Sequence, residues 1–355
     1  MSKRDNPARI ILILPCCIGD VVLATAALAA LRRGYPNAHI TWAVGNWSKA
    51  AIEHHPLLDE ALDTGAGASP VETPAAVWRF AQTLRAGRYD LAVSLVRSPK
   101  MSAAVWLSGI RKRAGLDSNG RGFGYNIKAK IDPDQPRHEA EIYLDVPRAL
   151  GLDVTGLYAN VPVDDADRVS IQGKLARAGV SRRYIVVNPA GGRNPGMTFD
   201  AKRYPPEKLA DLALMLALAR NAQLVVIGSG QDQPLLDAVT SALPSPPAQF
   251  AGTLSFGEIA ALAADALLYI GNDTGLTHLA AAAGGKTAMI MGPTDPRRYA
   301  PFAEKAVTLW KPTTVSDRGV SSGVLEDWNW DRDGISVEDA ETQIEAFLTQ
   351  WRIKI

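Results

Sequence analysis

Cysteine is almost absent from this 355-residue chain: the two that occur, Cys16 and Cys17, are adjacent. That placement suits neither an ordinary disulfide nor metal-ligand spacing such as C-x-x-C, which excludes a disulfide framework and a zinc cluster. The pair reads as two small buried side chains. Long apolar runs are also missing. The longest, Val21 to Leu31, is well short of the roughly 20 residues that cross a bilayer, and it follows a strand without a cleavage-site pattern. The expectation is neither a signal peptide nor a transmembrane helix, and a reducing, cytoplasmic location. Net charge is nearly absent as well, at +1. This removes any bulk-charge reason to propose nucleic acid as a partner, and any charged surface must be local. No short-period repeat or low-complexity tract occurs. The familiar nucleotide fingerprints are incomplete. Gly228-Ser229-Gly230 lacks the third glycine of the dinucleotide motif because Gln233 stands there, and Gly285-Lys286-Thr287 has Ala280 in place of the first P-loop glycine and runs into a strand. Dehydrogenase and P-loop ATPase readings fail on these counts.

What is present is an alternation of buried strands and helices. Hydrophobic residues at 47% and charged residues at 21% describe a folded chain, and the length exceeds the usual domain of about 100–200 residues, which predicts two core-building units. Arg9 to Leu14 is continuously apolar after its first residue and β-branched, as expected of a strand buried on both faces. A helical run from Gly19 to Leu31 follows and ends in Arg32-Arg33-Gly34. His39 to Val44 and Leu91 to Val96 read as further strands, and His138 to Leu150 as a helix. After a polar boundary segment reaching about position 182, the pattern restarts. Strands are predicted at Tyr184–Val187, Leu224–Ile227, Leu267–Ile270 and Lys286–Met291, and helices at Pro205–Arg220, Gln231–Ala242 and Ser255–Ala264. The fold class is α/β, with two parallel-sheet domains in tandem at 1–170 and 171–335. Ser336-Val337-Glu338-Asp339 resembles a helix-start box and opens an amphipathic terminal helix over 336–355.

Open α/β sheets bind ligands beyond the carboxyl ends of their strands, where helix N-termini present unsatisfied N–H groups. Gly271-Asn272-Asp273-Thr274-Gly275 has that placement. Thr274 with the amides of Gly275 and Leu276 can hold a diphosphate; alternatively, Asp273 only caps the helix. His278, one turn on, can support Asp273 or simply pack. A second glycine-rich turn, Asn188-Pro189-Ala190-Gly191-Gly192-Arg193, follows another strand, with Lys202 downstream as a point charge for phosphate. Its plain alternative is an ordinary loop with a solvated lysine. In the first domain Asp20 is the candidate general base, with a helix N-terminal aspartate as the alternative. From position 97 to 130 the basic residues Arg97, Lys100, Arg111, Lys112, Arg113, Arg121, Lys128 and Lys130 face one acid, Asp117. This local positive field suits an anionic acceptor or an anionic membrane surface, or else it is a solvated face.

Taken together, Ile18-Gly19-Asp20-Val21-Val22-Leu23, Lys202-Arg203-Tyr204-Pro205, Asp273-Thr274-Gly275-Leu276-Thr277-His278-Leu279-Ala280 and Gly292-Pro293-Thr294-Asp295-Pro296 resemble the lipopolysaccharide heptosyltransferases of glycosyltransferase family 9. The resemblance spans about residues 9 to 302. It implies a GT-B fold, two Rossmann-like domains facing across a cleft, with the terminal helix crossing back to the first. It also implies inverting sugar transfer from a nucleotide-diphosphate sugar, ADP-heptose among the donors it admits, without a required metal or other cofactor. The acceptor implied is a lipopolysaccharide-core or other surface-glycan hydroxyl, reached by a cytoplasmic enzyme with peripheral contact at the inner membrane. By this carry-over Asp20 is the base and Lys202 a phosphate ligand. Thr274, Gly275 and Leu276 form the diphosphate-binding helix start, supported by Asp273 and His278. The positive segment, Arg97, Lys100, Arg111, Lys112, Arg113 and Arg121, is expected at the acceptor. Donor contacts are expected also at Ala190, Gly191, Gly192, Asp232 and Leu254. The chain departs from the family in three places: Ala190-Gly191-Gly192 replaces hydroxyl residues, the stretch from Arg193 to Lys202 is long, leaving Arg193 or Arg203 open as the phosphate ligand, and Leu14-Pro15-Cys16-Cys17 replaces a basic residue. The alternatives are a GT-B epimerase or hydrolase and a catalytically silent nucleotide-sugar binder.

Overall fold

The computed structural model describes residues 7–181, 183–312 and 328–352. The chain divides into two compact units, 1–159 and 160–355. In the first, β1 (Arg9–Ile13), α1 (Ile18–Leu23), α2 (Thr25–Gly34), β2 (His39–Val44), α3 (Asn46–Lys49) and β3 (Glu60–Asp63) are followed by α4 (Pro74–Ala86), β4 (Leu91–Ser94), α5 (Pro99–Leu107), β5 (Lys112–Ser118), β6 (Ile127–Ile131) and α6 (Glu139–Ala149). The second contains α7 (Asp165–Arg177), β7 (Tyr184–Asn188), β8 (Arg193–Asn194), β9 (Met197–Thr198), α8 (Pro206–Arg220), β10 (Gln223–Gly228), α9 (Gln233–Ser241), β11 (Ala248–Ala251) and α10 (Phe256–Asp265). It continues through β12 (Leu268–Asn272), α11 (Gly275–Ala282), β13 (Thr287–Ile290), α12 (Pro296–Tyr299), β14 (Ala306–Leu309), α13 (Trp330–Asp333) and α14 (Val337–Arg352).

Each unit is built on a six-stranded sheet, ordered β3-β2-β1-β4-β5-β6 in the first and β11-β10-β7-β12-β13-β14 in the second. Every pairing within these two sheets is parallel. The shared order reverses direction between β1 and β4, and again between β7 and β12. Such switch points leave a crevice at the carboxyl edge of the sheet, where ligands of open α/β folds bind. The central strands are buried on both faces, with Ile10 to Ile13 and Ile185 to Val187 wholly covered, as their unbroken apolar runs predict.

Two local expectations are corrected. The sequence predicts one helix from Gly19 to Leu31, but the chain breaks at Ala24, where the Thr25 hydroxyl donates to the Val22 carbonyl at 2.6 Å. The unit boundary falls at 159/160 instead of after 170, because α7 belongs to the second unit: Ile171 and Leu175 are buried and Lys174 pairs with Glu258 on α10. The terminal helix buries Ala340, Ile344, Phe347 and Leu348 in the second unit's core with Leu209 and Leu216. Its apolar stripe packs on α8 and β14.

Candidate active site

In the first unit Asp20 lies one turn into α1, just past the carboxyl end of β1 and beside the β1/β4 switch point. Its Oδ1 accepts a hydrogen bond from the Tyr143 hydroxyl at 2.7 Å. Its Oδ2 lies 3.4 Å from the Cys17 backbone N–H, a long contact. The helix-start role is thus present but weak, and the shorter bond goes to another helix. Burial pushes the Asp20 carboxyl above its ordinary value, against the Tyr143 bond; the charge of Glu139 raises it further, while the Cys17 N–H and Arg97 lower it. Glu139, 1% exposed, is ion-paired with Arg97. The preceding turn corrects the sequence reading: Cys16 and Cys17 are half-buried and joined in a vicinal disulfide across a cis peptide, with Cα atoms 3.1 Å apart.

The basic segment does not form one field. β5 runs parallel to β4 with Lys112 opposite Leu91 and Gly115 opposite Ser94, so Arg111, Lys112 and Arg113 occupy the amino edge of the sheet, opposite the edge that carries Asp20. Arg113 is also structural, donating to the carbonyls of Gly124 and Ile110, each at 2.7 Å. Lys128 pairs with Asp117. Arg97, Lys100 and the exposed Arg121, by contrast, follow the carboxyl ends of β4 and β5. Lys100 Nζ donates to the Glu72 carbonyl at 2.5 Å, beside a cavity lined by Thr64, Ser69, Glu72, Thr73 and Arg79 at that same edge.

In the second unit the turns after β7 and β12 meet at the switch point. Asn272, fully buried, donates from Nδ2 to the carbonyls of Pro189 and Ala190 at 2.8 and 3.2 Å and accepts the Tyr204 N–H at 3.0 Å. A Cβ on Gly191 would sit 3.3 Å from the Asn272 side chain. Gly192 has a φ of +69°, and its carbonyl accepts the Phe199 N–H at 2.6 Å. The longer stretch that follows folds as the antiparallel pair β8–β9.

Asp273 does not cap α11. The N-cap is Thr274, and its carbonyl accepts the N–H groups of Thr277 and His278. Gly275 and Leu276 carry the amides ahead of those bonds, at the positive end of the helix dipole. Lys202 Nζ instead binds Asp273 Oδ2 at 2.6 Å, and His278 Nε2 lies 4.0 Å from Oδ1. Burial alone would push the Asp273 carboxyl up, but the charges of Lys202 and His278 pull it below the ordinary carboxylate range. Arg203 is occupied by the Gly191 carbonyl at 2.9 Å and by Asp200, and Arg193 by Gln231. Lys202 is thus set beside the α11 start, while the buried Nη2 of Arg203 has no hydrogen-bond partner among the described residues. Ala190 is buried in the same turn. Asp232 is turned inward, accepting the Ser229 N–H at 2.9 Å, and Leu254 is half-buried in a segment tied to the 228–233 loop by the Gly252 N–H to Gly228 carbonyl bond of 2.8 Å.

Sequence reasoning missed Tyr143, Glu139, Asn272 and Tyr299, whose ring lies 6.0 Å from Lys202 Nζ. Only Asn272, inside the quoted motif, carried a readable signal.

Glycosyltransferase family 9 (heptosyltransferase) matches residues 77–322. Lipooligosaccharide heptosyltransferase 2 of Haemophilus influenzae is 28% identical over 312 residues, covering 84% of this chain and 88% of that protein. Lipopolysaccharide heptosyltransferase 3 of Escherichia coli is 25% identical over 299 residues, covering 82% and 86%. Among solved structures, E. coli ADP-heptose lps heptosyltransferase II has a TM-score of 0.74 at 23% identity, covering 97% of this chain and 99% of its own. The family 9 glycosyl transferase of Veillonella parvula has a TM-score of 0.79 at 21% identity, covering 97% and 98%. These neighbours share the fold, which is GT-B. The chain therefore belongs to glycosyltransferase family 9, the heptosyltransferase family, and is a transferase.

Proposed function

We propose that this enzyme moves a heptose or closely related sugar, with inversion, from a nucleotide-diphosphate donor such as ADP-heptose to a hydroxyl of a lipopolysaccharide-core or similar surface-glycan acceptor. The observation that carries the donor half is the Lys202–Asp273–His278 cluster at the start of α11, beside the Ala190-Gly191-Gly192 turn. Amides of Gly275 and Leu276, the Thr274 hydroxyl and the Lys202 ammonium would bind the diphosphate and stabilise the charge it gains on leaving. The loops 228–233 and 250–256, with Asp232 and Leu254, are assigned to discrimination of the donor's nucleotide and sugar.

For the acceptor half, Asp20 takes the proton as the acceptor O–H bond breaks. The oxygen bonds to the anomeric carbon from the face opposite the diphosphate, and the breaking C–O bond's electron pair leaves with the diphosphate. Lys100 and Arg121 share the sheet edge of Asp20 and are assigned to the anionic acceptor; Arg97, at the same edge, is engaged by Glu139, and Arg111, Lys112 and Arg113 lie at the other edge. An acceptor of this class places the reaction at the cytoplasmic face of the inner membrane. Among the described residues no helix is long and apolar enough to cross it.

The test is nucleotide release from ADP-heptose with and without a heptose-bearing core acceptor. The proposal expects ADP only when the acceptor is supplied. Donor consumption in its absence would select hydrolysis, and binding without turnover a silent binder.

A further inference from the structure

Two buried residues of α6 face the candidate base and have no part in the reaction as described. Glu139 and Tyr143 are four apart and so share one helical face. Tyr143 is 4% exposed and Glu139 1%. The phenol donates to Asp20 Oδ1 at 2.7 Å, and among the described residues Oδ2 has the long Cys17 contact. Arg97, from the segment after β4, closes the cluster by pairing with Glu139. We propose that Tyr143 is a positioning residue, holding Asp20 by Oδ1 so that Oδ2 meets the acceptor hydroxyl, and that the Glu139–Arg97 pair holds that arrangement from behind. This inference rests on the reading of Asp20 as the base.

The phenol is suited to the role because it stays protonated. Burial, with the charges of Asp20 and Glu139, pushes it well above its ordinary value, so it remains a donor throughout the working range. The other charged groups on elements packed against α1 are engaged elsewhere: on α6, Arg148 pairs with Glu141 and Asp145. On α2, Arg32 binds the Leu57 carbonyl and Asp59, and Arg33 binds Asp153; on α3, Lys49 pairs with Glu53. Burial acts most on the Asp20 titration, and the side chains that act on it are Tyr143, Glu139 and Arg97, with the Cys17 N–H beside them. The signs are opposed: phenol donation stabilises the carboxylate, whereas the charge of Glu139 destabilises it.

The experiment is the pH dependence of kcat for the wild type, Tyr143→Phe, Glu139→Gln and a 3-fluorotyrosine replacement at 143, with donor KM followed in each. Tyr143→Phe should lower kcat, leave donor KM in place and move the acid limb upward, while Glu139→Gln moves it downward. Fluorotyrosine keeps the packing and strengthens the donor, so it also moves the limb downward, and it serves where Phe impairs folding. Limbs that stay put, or that shift the same way in Tyr143→Phe and Glu139→Gln, overturn the proposal. Near-normal turnover of Asp20→Asn is a separate result: it removes the base assignment itself, whatever the limbs of the other variants do.

Discussion

The ammonium of Lys202 lies 2.6 Å from Asp273 Oδ2, joining the segment before α8 to the turn that opens α11. Both side chains are largely buried, at 16% and 6% exposure, so the lysine is held in place before any anion arrives. That pre-positioning is what a phosphate ligand needs, because little side-chain freedom remains to be lost on binding.

Lys202→Ala should weaken the nucleotide-diphosphate donor by about tenfold or more, the scale of a charge-assisted hydrogen bond. It should also lower stability by about 3 kcal/mol, the lower end for breaking a buried pair, since Lys202 keeps some solvent contact. Titration calorimetry and thermal unfolding measure the two effects separately.

Asp273 predicts a pH dependence. Its folded carboxyl lies below the unfolded value of 3.8, so the pair's contribution is fully present above that value and is lost as pH falls through the folded one. Denaturant midpoints for the wild type should therefore fall more steeply below about pH 4 than those of Asp273→Asn. At neutral pH the variant should be the less stable of the two.

Gly192→Ala places a Cβ 2.0 Å from the Phe199 carbonyl oxygen in a left-handed conformation. The backbone strain alone is of order 1–3 kcal/mol. The turn should shift, raising donor KM and lowering the unfolding temperature, while acceptor KM stays near the wild-type value.

The two edges of the first sheet predict opposite outcomes for its cations. Arg111→Ala/Lys112→Ala, at the amino edge, should leave acceptor KM unchanged, whereas Arg121→Ala should raise it several-fold. Steady-state kinetics at low ionic strength, where charge contacts are least screened, would show the contrast.

The central strands were legible in the sequence because burial on both faces leaves an unbroken apolar run, as at Ile10–Ile13. Edge strand β3 was not, since Glu60–Asp63 is mixed in character and half-exposed. The basic stretch divides between the two sheet edges for a physical reason. Lys112 and Arg113 begin a strand whose parallel register sends them to the far edge, and register is a tertiary property. At the site, Asp273, Thr274 and Gly275 carried a turn-and-helix signal of their own, while Lys202 and Asp20 were candidates whose proposed roles rest mainly on the family resemblance. Tyr143 is 123 residues from the aspartate it touches, and no spacing rule in a single sequence connects them.

The account's central claim is that Asp20 accepts the acceptor proton while the second unit alone holds the donor diphosphate. Measuring kcat and donor Kd for Asp20→Asn tests it most directly. Loss of turnover by roughly 10²–10⁴, the range of general-base catalysis, with donor Kd unchanged is the predicted result. Turnover close to wild type, or a donor affinity that collapses along with it, would contradict the account.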